Sequence, residues 1–300
     1  MNIVKKQIGG NESEAFYTAY LLDDSRELLP GKKRPVIIIA PGGGYLFTSD
    51  REAEPIAMKF LSIGYHAVVL RYTTGNQDGT RVGVADTALR ELAFTVCDLK
   101  QNHDKWRIDG NKIGICGFSA GAHLAASLGV HWQDQQLVNS IKEANGDSCL
   151  LKPNALILGY GLFDYQIMKD RSLTVLKDET MKDNLAFMEK ANLALTGERE
   201  LTEAVILKYS PSKWVSEQTP PAFLWHTAKD RLVYSENSLV FALELANHQV
   251  PYEIHVFQEG GHGLSLATEV TANNQDQIDD DCAIWFYLAE QWLKKVLPFT

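Results

Sequence analysis

Ser119 stands inside Gly117-Phe118-Ser119-Ala120-Gly121, and the residues on either side make its hydroxyl a candidate nucleophile. Lys112-Ile113-Gly114-Ile115-Cys116 before it is a short apolar run that reads as a buried strand. Ala122-His123-Leu124-Ala125-Ala126-Ser127-Leu128 after it is small and apolar, suited to a helix packed close on a sheet. A turn that sharp holds the serine at strained backbone angles, and glycines two residues away let neighbouring backbone pass without a Cβ in the way. The strain has a use. It lifts the hydroxyl above the sheet and aims the first N–H groups of the next helix at a reacting oxygen.

A serine hydroxyl is a poor nucleophile until a base takes its proton, and the base works best when an acid fixes its tautomer. In a strand–turn–helix setting the chain order should be Ser, then Asp or Glu, then His, each beyond a strand end. Asp230 follows the apolar run Ala222-Phe223-Leu224-Trp225-His226-Thr227, and His262 follows residues 252–257 within Gly260-Gly261-His262-Gly263. Ser119, Asp230 and His262 are therefore the expected triad. Of the eight histidines, His226 at a strand end is the rival base, although it precedes the acid in sequence. Asp164, beyond the strand expected at 155–159, is the rival acid.

Acyl transfer also needs donors for the oxyanion. Pro41-Gly42-Gly43-Gly44-Tyr45 directly follows an apolar run, and backbone N–H groups of a glycine loop can converge on an oxygen without side-chain obstruction. The other use of such a loop is phosphate binding, but neither Gly-Lys-Ser/Thr nor G-x-G-x-x-G follows. Gly43 and Gly44, with the N–H of Ala120, are the expected donors. Tyr45 beside them offers an aromatic wall and a hydroxyl for a small polar substrate such as a sugar.

These groups must be carried by a frame, and the pattern supplies one. Residues 35–40 form a continuous apolar run, as for a strand covered on both faces. Further strands are expected at 65–72, 155–159, 222–227 and 252–257. Helices are expected at 52–63, 86–106, 235–247 and 277–296. Two segments near the start, around 3–8 and 15–22, read as an antiparallel edge. Strands alternating with helices predict an α/β fold, a mostly parallel central sheet flanked by helices. Ligands bind beyond the carboxyl ends of such strands, where Ser119 falls. Residues 163–209 break the alternation with a polar, helix-prone tract, read either as a small helical cap inserted in a single domain spanning 1–300 or as a solvated excursion.

Composition bounds the rest. Of 300 residues 45% are hydrophobic, enough for a sizeable core, and the net charge of −9 argues against nucleic acid or an anionic membrane as partner. No apolar run reaches the length of a membrane span, and the first residues show no secretory pattern. Cys97, Cys116, Cys149 and Cys282 are scattered without metal-ligand spacing, as expected of reduced cysteines in a cytoplasmic protein. No metal or organic cofactor is implied, and both monomer and homo-oligomer are compatible with the chain.

From about residue 35 onward the chain resembles the α/β-hydrolases of the esterase/lipase group, close to the acetyl esterases, acetylxylan esterases and feruloyl-esterase-like proteins. That group carries His-Gly-Gly-Gly, Gly-x-Ser-Ala-Gly-Gly-His-Leu, an Asp loop and a Gly-x-His loop. Here residues 117–124 match except that Ala122 replaces a glycine, and Pro41 stands where the histidine is usual. The resemblance implies an α/β-hydrolase fold and a serine carboxylic-ester hydrolase that acts on a small-molecule ester. Short acyl groups are expected, acetyl first, on sugars or xylan fragments, because the 163–209 tract is rich in charge. A same-fold amidase or peptidase, arylformamidase- or dipeptidyl-peptidase-like, would use the same residues. A binding protein on the same scaffold would normally have lost Ser, Asp or His.

Overall fold

The computed structural model describes residues 1–9, 14–28, 30–76, 80–145 and 149–299. Its frame is one eight-stranded sheet of β1 (Asn2–Gln7), β2 (Phe16–Leu21), β3 (Arg34–Ala40), β4 (His66–Arg71), β5 (Ile108–Phe118), β6 (Ala155–Gly159), β7 (Ala222–Thr227) and β8 (Tyr252–Phe257), in the order β1-β2-β4-β3-β5-β6-β7-β8. The first two strands are antiparallel, β1 to β2 and β2 to β4, and every other pairing is parallel. The helices are α1 (Glu54–Ser62), α2 (Ala85–Gln101), α3 (Ala120–His131), α4 (Gln135–Asn145), α5 (Tyr165–Val175), α6 (Lys182–Thr196), α7 (Glu203–Tyr209), α8 (Glu236–Asn247), α9 (Asp280–Ala283) and α10 (Trp285–Val296).

Alternation along β3 shows why its sequence is apolar throughout. Val36 and Ile38 join one buried cluster with Leu92 and Val96 of α2, Leu124 of α3 and Phe241 of α8. Ile37 and Ile39 join the opposite cluster with Ile56 and Phe60 of α1 and Trp285, Trp292 and Leu293 from the C-terminal helix. The chain thus leaves β3 for one face of the sheet and leaves the adjacent β5 for the other. Connections that diverge in this way open a crevice at the carboxyl ends of the two strands, a topological switch point.

Three expected elements differ. The long second helix stops at Gln101 and gives way to turns before β5. The helix expected from residue 52 opens as a 3-10 turn at Asp50–Glu52, with Pro55 inside the first turn of α1. The last helix is broken at Ile284, so α9, capped by Asp279 on Cys282 N–H, precedes α10. The tract between β6 and β7 contains α5, α6, α7 and no strand. Among the described residues no helix is long and apolar enough to cross a membrane, and none of the four cysteines is in a disulfide.

Candidate active site

The switch-point crevice brings together residues far apart in sequence. Ser119 is the hinge between β5 and α3 and sits at φ 50°, ψ −118°, a left-handed conformation costly for a residue with a Cβ. Packing leaves it no alternative. Its N–H donates to Gly159 O at 2.9 Å, and Gly121 lies so close to β3 that a Cβ there would fall 1.9 Å from Ala40 O. The sequence places a glycine where the backbones of α3 and β3 touch, and the serine absorbs the strain.

Ser119 Oγ lies 2.8 Å from His262 Nε2, and His262 Nδ1 lies 2.6 Å from Asp230 Oδ2. A carboxylate only accepts, so Nδ1 carries the ring proton and Nε2 is left to accept the Ser119 O–H. Asp230 is buried and caps its own turn, Oδ1 accepting the N–H groups of Leu232 and Val233 at 2.9 Å each. Burial opposes its charge, but His262 and His226 outweigh that and hold its carboxyl well below the usual carboxylate range. Burial likewise pulls the His262 ring down. The Asp230 carboxylate and, more weakly, Glu52 overcome this, so its pKa lies above the ordinary 6.5.

The rivals have other duties. His226 is wholly buried; its Nε2–H is shared between Val233 O at 2.8 Å and Asp230 Oδ2 at 3.3 Å, while Nδ1 accepts from the Ser238 hydroxyl. It buttresses the acid and does not reach the serine. Asp164 caps α5 through Gln166 N–H and pairs with Lys213 at 2.6 Å.

The glycine loop after β3 is held without the histidine that Pro41 replaces. Tyr72 donates its hydroxyl to Pro41 O at 2.6 Å, and the N–H of Gly42 donates to Glu52 Oε2 at 2.7 Å. Gly43 O accepts from Leu46 and Phe47, closing the turn. Among the described residues nothing accepts the N–H of Gly43, Gly44 or Ala120. Gly44 must be bare: at φ 62° it lies under α6, where a Cβ would meet the Phe187 ring at 2.7 Å.

Glu52 is a residue the sequence did not single out. It is 4% exposed, and besides Gly42 it accepts the Tyr160 hydroxyl at 2.6 Å. Tyr160 in turn accepts from Ser265 N–H at 3.0 Å, and its ring packs 5.2 Å from that of His262. One carboxylate therefore links the loop after β3, the end of β6 and the loop that carries His262. An acidic residue opening a helix is ordinary, so only its burial reveals it.

Tyr45 lies where expected, against the space beside Ser119, but its hydroxyl is not free for a substrate. The oxygen is 2.8 Å from His123 Nδ1, and His123 Nε2 is 2.8 Å from Tyr209 O. The carbonyl can only accept, so Nε2 carries the proton and Nδ1 accepts the Tyr45 O–H. Burial pushes the His123 pKa down to about 4, which keeps the ring neutral. A cavity of about 30 Å³ remains beside Ser119, lined in part by Gly44, Ala120, Leu162, Tyr165, Phe187 and Val233. Among the described residues no three His, Cys, Asp or Glu side chains are grouped to hold a metal ion.

The BD-FAE family model matches residues 28–245, and the chain belongs to that family of α/β-hydrolase esterases. It is 34% identical over 240 residues to endo-1,4-beta-xylanase B of Butyrivibrio fibrisolvens, a match covering 79% of this chain and 33% of that protein. The carboxylesterase Cest-2923 of Lactobacillus plantarum superposes with a TM-score of 0.80 at 27% identity, over 100% of this chain and 99% of that one. The acetyl ester-xyloside bifunctional hydrolase of Caldicellulosiruptor lactoaceticus gives 0.74 at 29% identity, over 97% and 91%. The chain spans between a third and three fifths of the length of the first curated relatives it matches.

Proposed function

We propose that this BD-FAE family member is a serine carboxylic-ester hydrolase acting on short-acyl esters, acetyl first among them, carried by xylan-derived saccharides. One observation carries the chemistry: an unbroken chain from Ser119 Oγ through His262 to Asp230, at 2.8 and 2.6 Å, on a serine held at φ 50°.

Ser119 Oγ attacks the ester carbonyl carbon as His262 Nε2 takes its proton, and the carbonyl π electrons move onto oxygen. The N–H groups of Gly43, Gly44 and Ala120 stabilise that oxyanion. Asp230 keeps the imidazolium oriented. Collapse breaks the C–O bond to the alcohol, which leaves with the proton from Nε2. Water then adds to the acyl-enzyme by the same route, and the carboxylic acid departs as Ser119 regains its proton.

The acyl limit is read from space. A water needs about 10–15 Å³ of cavity, so about 30 Å³ accepts two or three heavy atoms, the size of an acetyl group. The helices between β6 and β7 supply Phe187 and Met188 to this wall and direct Lys182, Asp183, Glu189 and Lys190 outward. We read them as a fixed cap and not a lipase lid. The saccharide as alcohol rests on the xylan-related names of relatives.

The test is kcat/KM across p-nitrophenyl esters from acetate to dodecanoate, alongside acetylated xylo-oligosaccharides. A maximum at two to four carbons, release of acetate from the oligosaccharides and loss of turnover in Ser119→Ala are expected. A maximum at eight carbons or more would refute the acyl assignment. Turnover above a few per cent in Ser119→Ala would refute the nucleophile.

A further inference from the structure

Behind the small cavity beside Ser119 lies a larger one of about 450 Å³. The two share Tyr45 and His123 among their linings and no other residue. This pair is fastened. Tyr45 donates to His123 Nδ1, and the opposite ring nitrogen donates to Tyr209 O at the end of α7. Tyr45 itself stands at φ 58°, so the tight turn after Gly44 holds the phenol inward at some backbone cost. The lining of the larger cavity divides by burial. Leu124 and Leu137 are buried, whereas Asp86, Arg90 and Lys208 are exposed. An apolar tail entering from Ser119 would meet the leucines, with the charged groups at the solvent side.

We infer that the Tyr45–His123 pair is the partition that sets the acyl-length limit, and that the space behind it is a latent channel for medium-chain acyl groups. This rests on the proposed esterase reading. Elsewhere the small cavity is walled by Gly44, by the Ser119–Ala120 turn, by Leu162 and Tyr165 after β6, by α6 and by the loop after β7, and none of those residues lines the larger space. Opening the partition from either side should therefore lengthen the pocket without touching Ser119, His262 or Asp230.

The experiment measures the ratio of kcat/KM for p-nitrophenyl octanoate to that for p-nitrophenyl acetate. It compares the unaltered protein with Tyr45→Ala, His123→Ala and Tyr45→Phe, each checked by urea denaturation. The two alanine variants should raise the ratio about tenfold or more, the equivalent of burying about two further methylenes, while Tyr45→Phe keeps the ring and should shift it less than about threefold. Tyr45→Leu supplies the same reading if an alanine variant does not fold. A flat ratio in folded variants whose turnover still requires Ser119 overturns the partition alone. Turnover that survives Ser119→Ala overturns the esterase reading beneath it.

Discussion

Replacing Glu52 by Gln tests whether the buried carboxylate under the glycine loop acts on the site by position, by charge or not at all. The carboxylate accepts two donors, Gly42 N–H at 2.7 Å and the Tyr160 hydroxyl at 2.6 Å. An amide has the same shape but one accepting oxygen, so one donor must face an NH₂ group. A buried hydrogen bond to a charged group contributes about 1.5–3 kcal/mol, and loss of the ionic part of one such bond should cost roughly 1–3 kcal/mol in urea denaturation. If the amide lets Gly42 shift, the neighbouring Gly43 and Gly44 N–H groups, the proposed donors, move with it. The loss of kcat should be about tenfold, well short of the 10²–10³ reported by removal of a whole oxyanion donor.

The charge gives an independent reading. Glu52 is one of the groups that raise the His262 pKa above 6.5. In the proposed mechanism the neutral ring is the form that accepts the serine proton, so activity should fall as pH drops through that raised value. Glu52→Gln removes an attraction for the imidazolium, lowers the pKa and moves the acid half-activity point to lower pH. The assay is kcat/KM for p-nitrophenyl acetate between pH 5 and 9. A variant with unchanged urea midpoint and unchanged acid limb would refute the linkage of Glu52 to both loops.

Asp230→Asn should lower kcat about 10³–10⁴-fold, because an amide facing His262 Nδ1 favours the wrong tautomer; a loss under tenfold in the steady-state rate would remove Asp230 from the mechanism. In the unaltered protein the acid half-activity point of kcat/KM should lie above pH 6.5, and a midpoint below that value would contradict the electrostatics of the site. Gly121→Ala would drive a Cβ to 1.9 Å from Ala40 O and 2.6 Å from Pro41 O, both backbone atoms. It should destabilise the fold by several kcal/mol (about 3 or more), and a urea midpoint like that of the unaltered protein would show that the elbow is looser than it looks.

Much of the candidate site was legible because its signals are local. Glycines at 117 and 121, an apolar run before them and small residues after them specify a strand–turn–helix elbow. Asp230 follows an apolar run of strand length, and His262 follows an alternating one that includes Glu253 and His255. Order along the chain then separated His262 from His226, and the hydrogen bonds of His226 give the reason: its Nε2–H is committed to Val233 O and Asp230. What escaped was set by tertiary burial. The Tyr45 hydroxyl was expected to face substrate, but it donates its hydrogen bond to His123, 78 residues away. The break at Ile284 was invisible in the sequence, because the hydrogen bond from the Trp285 ring to Ser265 O at the start of α10 is a tertiary feature.

The same burial explains how a strained serine survives in a sheet that gains nothing from it. The polar groups sunk beneath the crevice are satisfied across different segments: Glu52 by Gly42 and Tyr160, Tyr160 by Ser265, and Asp230 by His262, in addition to Leu232 and Val233 of its own turn and His226 of β7. Each loop is therefore fixed by a partner on another loop and not by its own turn alone. Removing any one partner leaves a desolvated group behind, which costs more than the bond contributed. The loops can then move only together, and the relative positions of Ser119, His262 and the glycine N–H groups are held before a substrate arrives. Preorganisation of this kind is what an oxyanion site requires, since donors that must first reorient stabilise the transition state less. The four strand ends of β3, β5, β7 and β8 supply the residues, but the network of buried polar side chains beneath them sets their geometry.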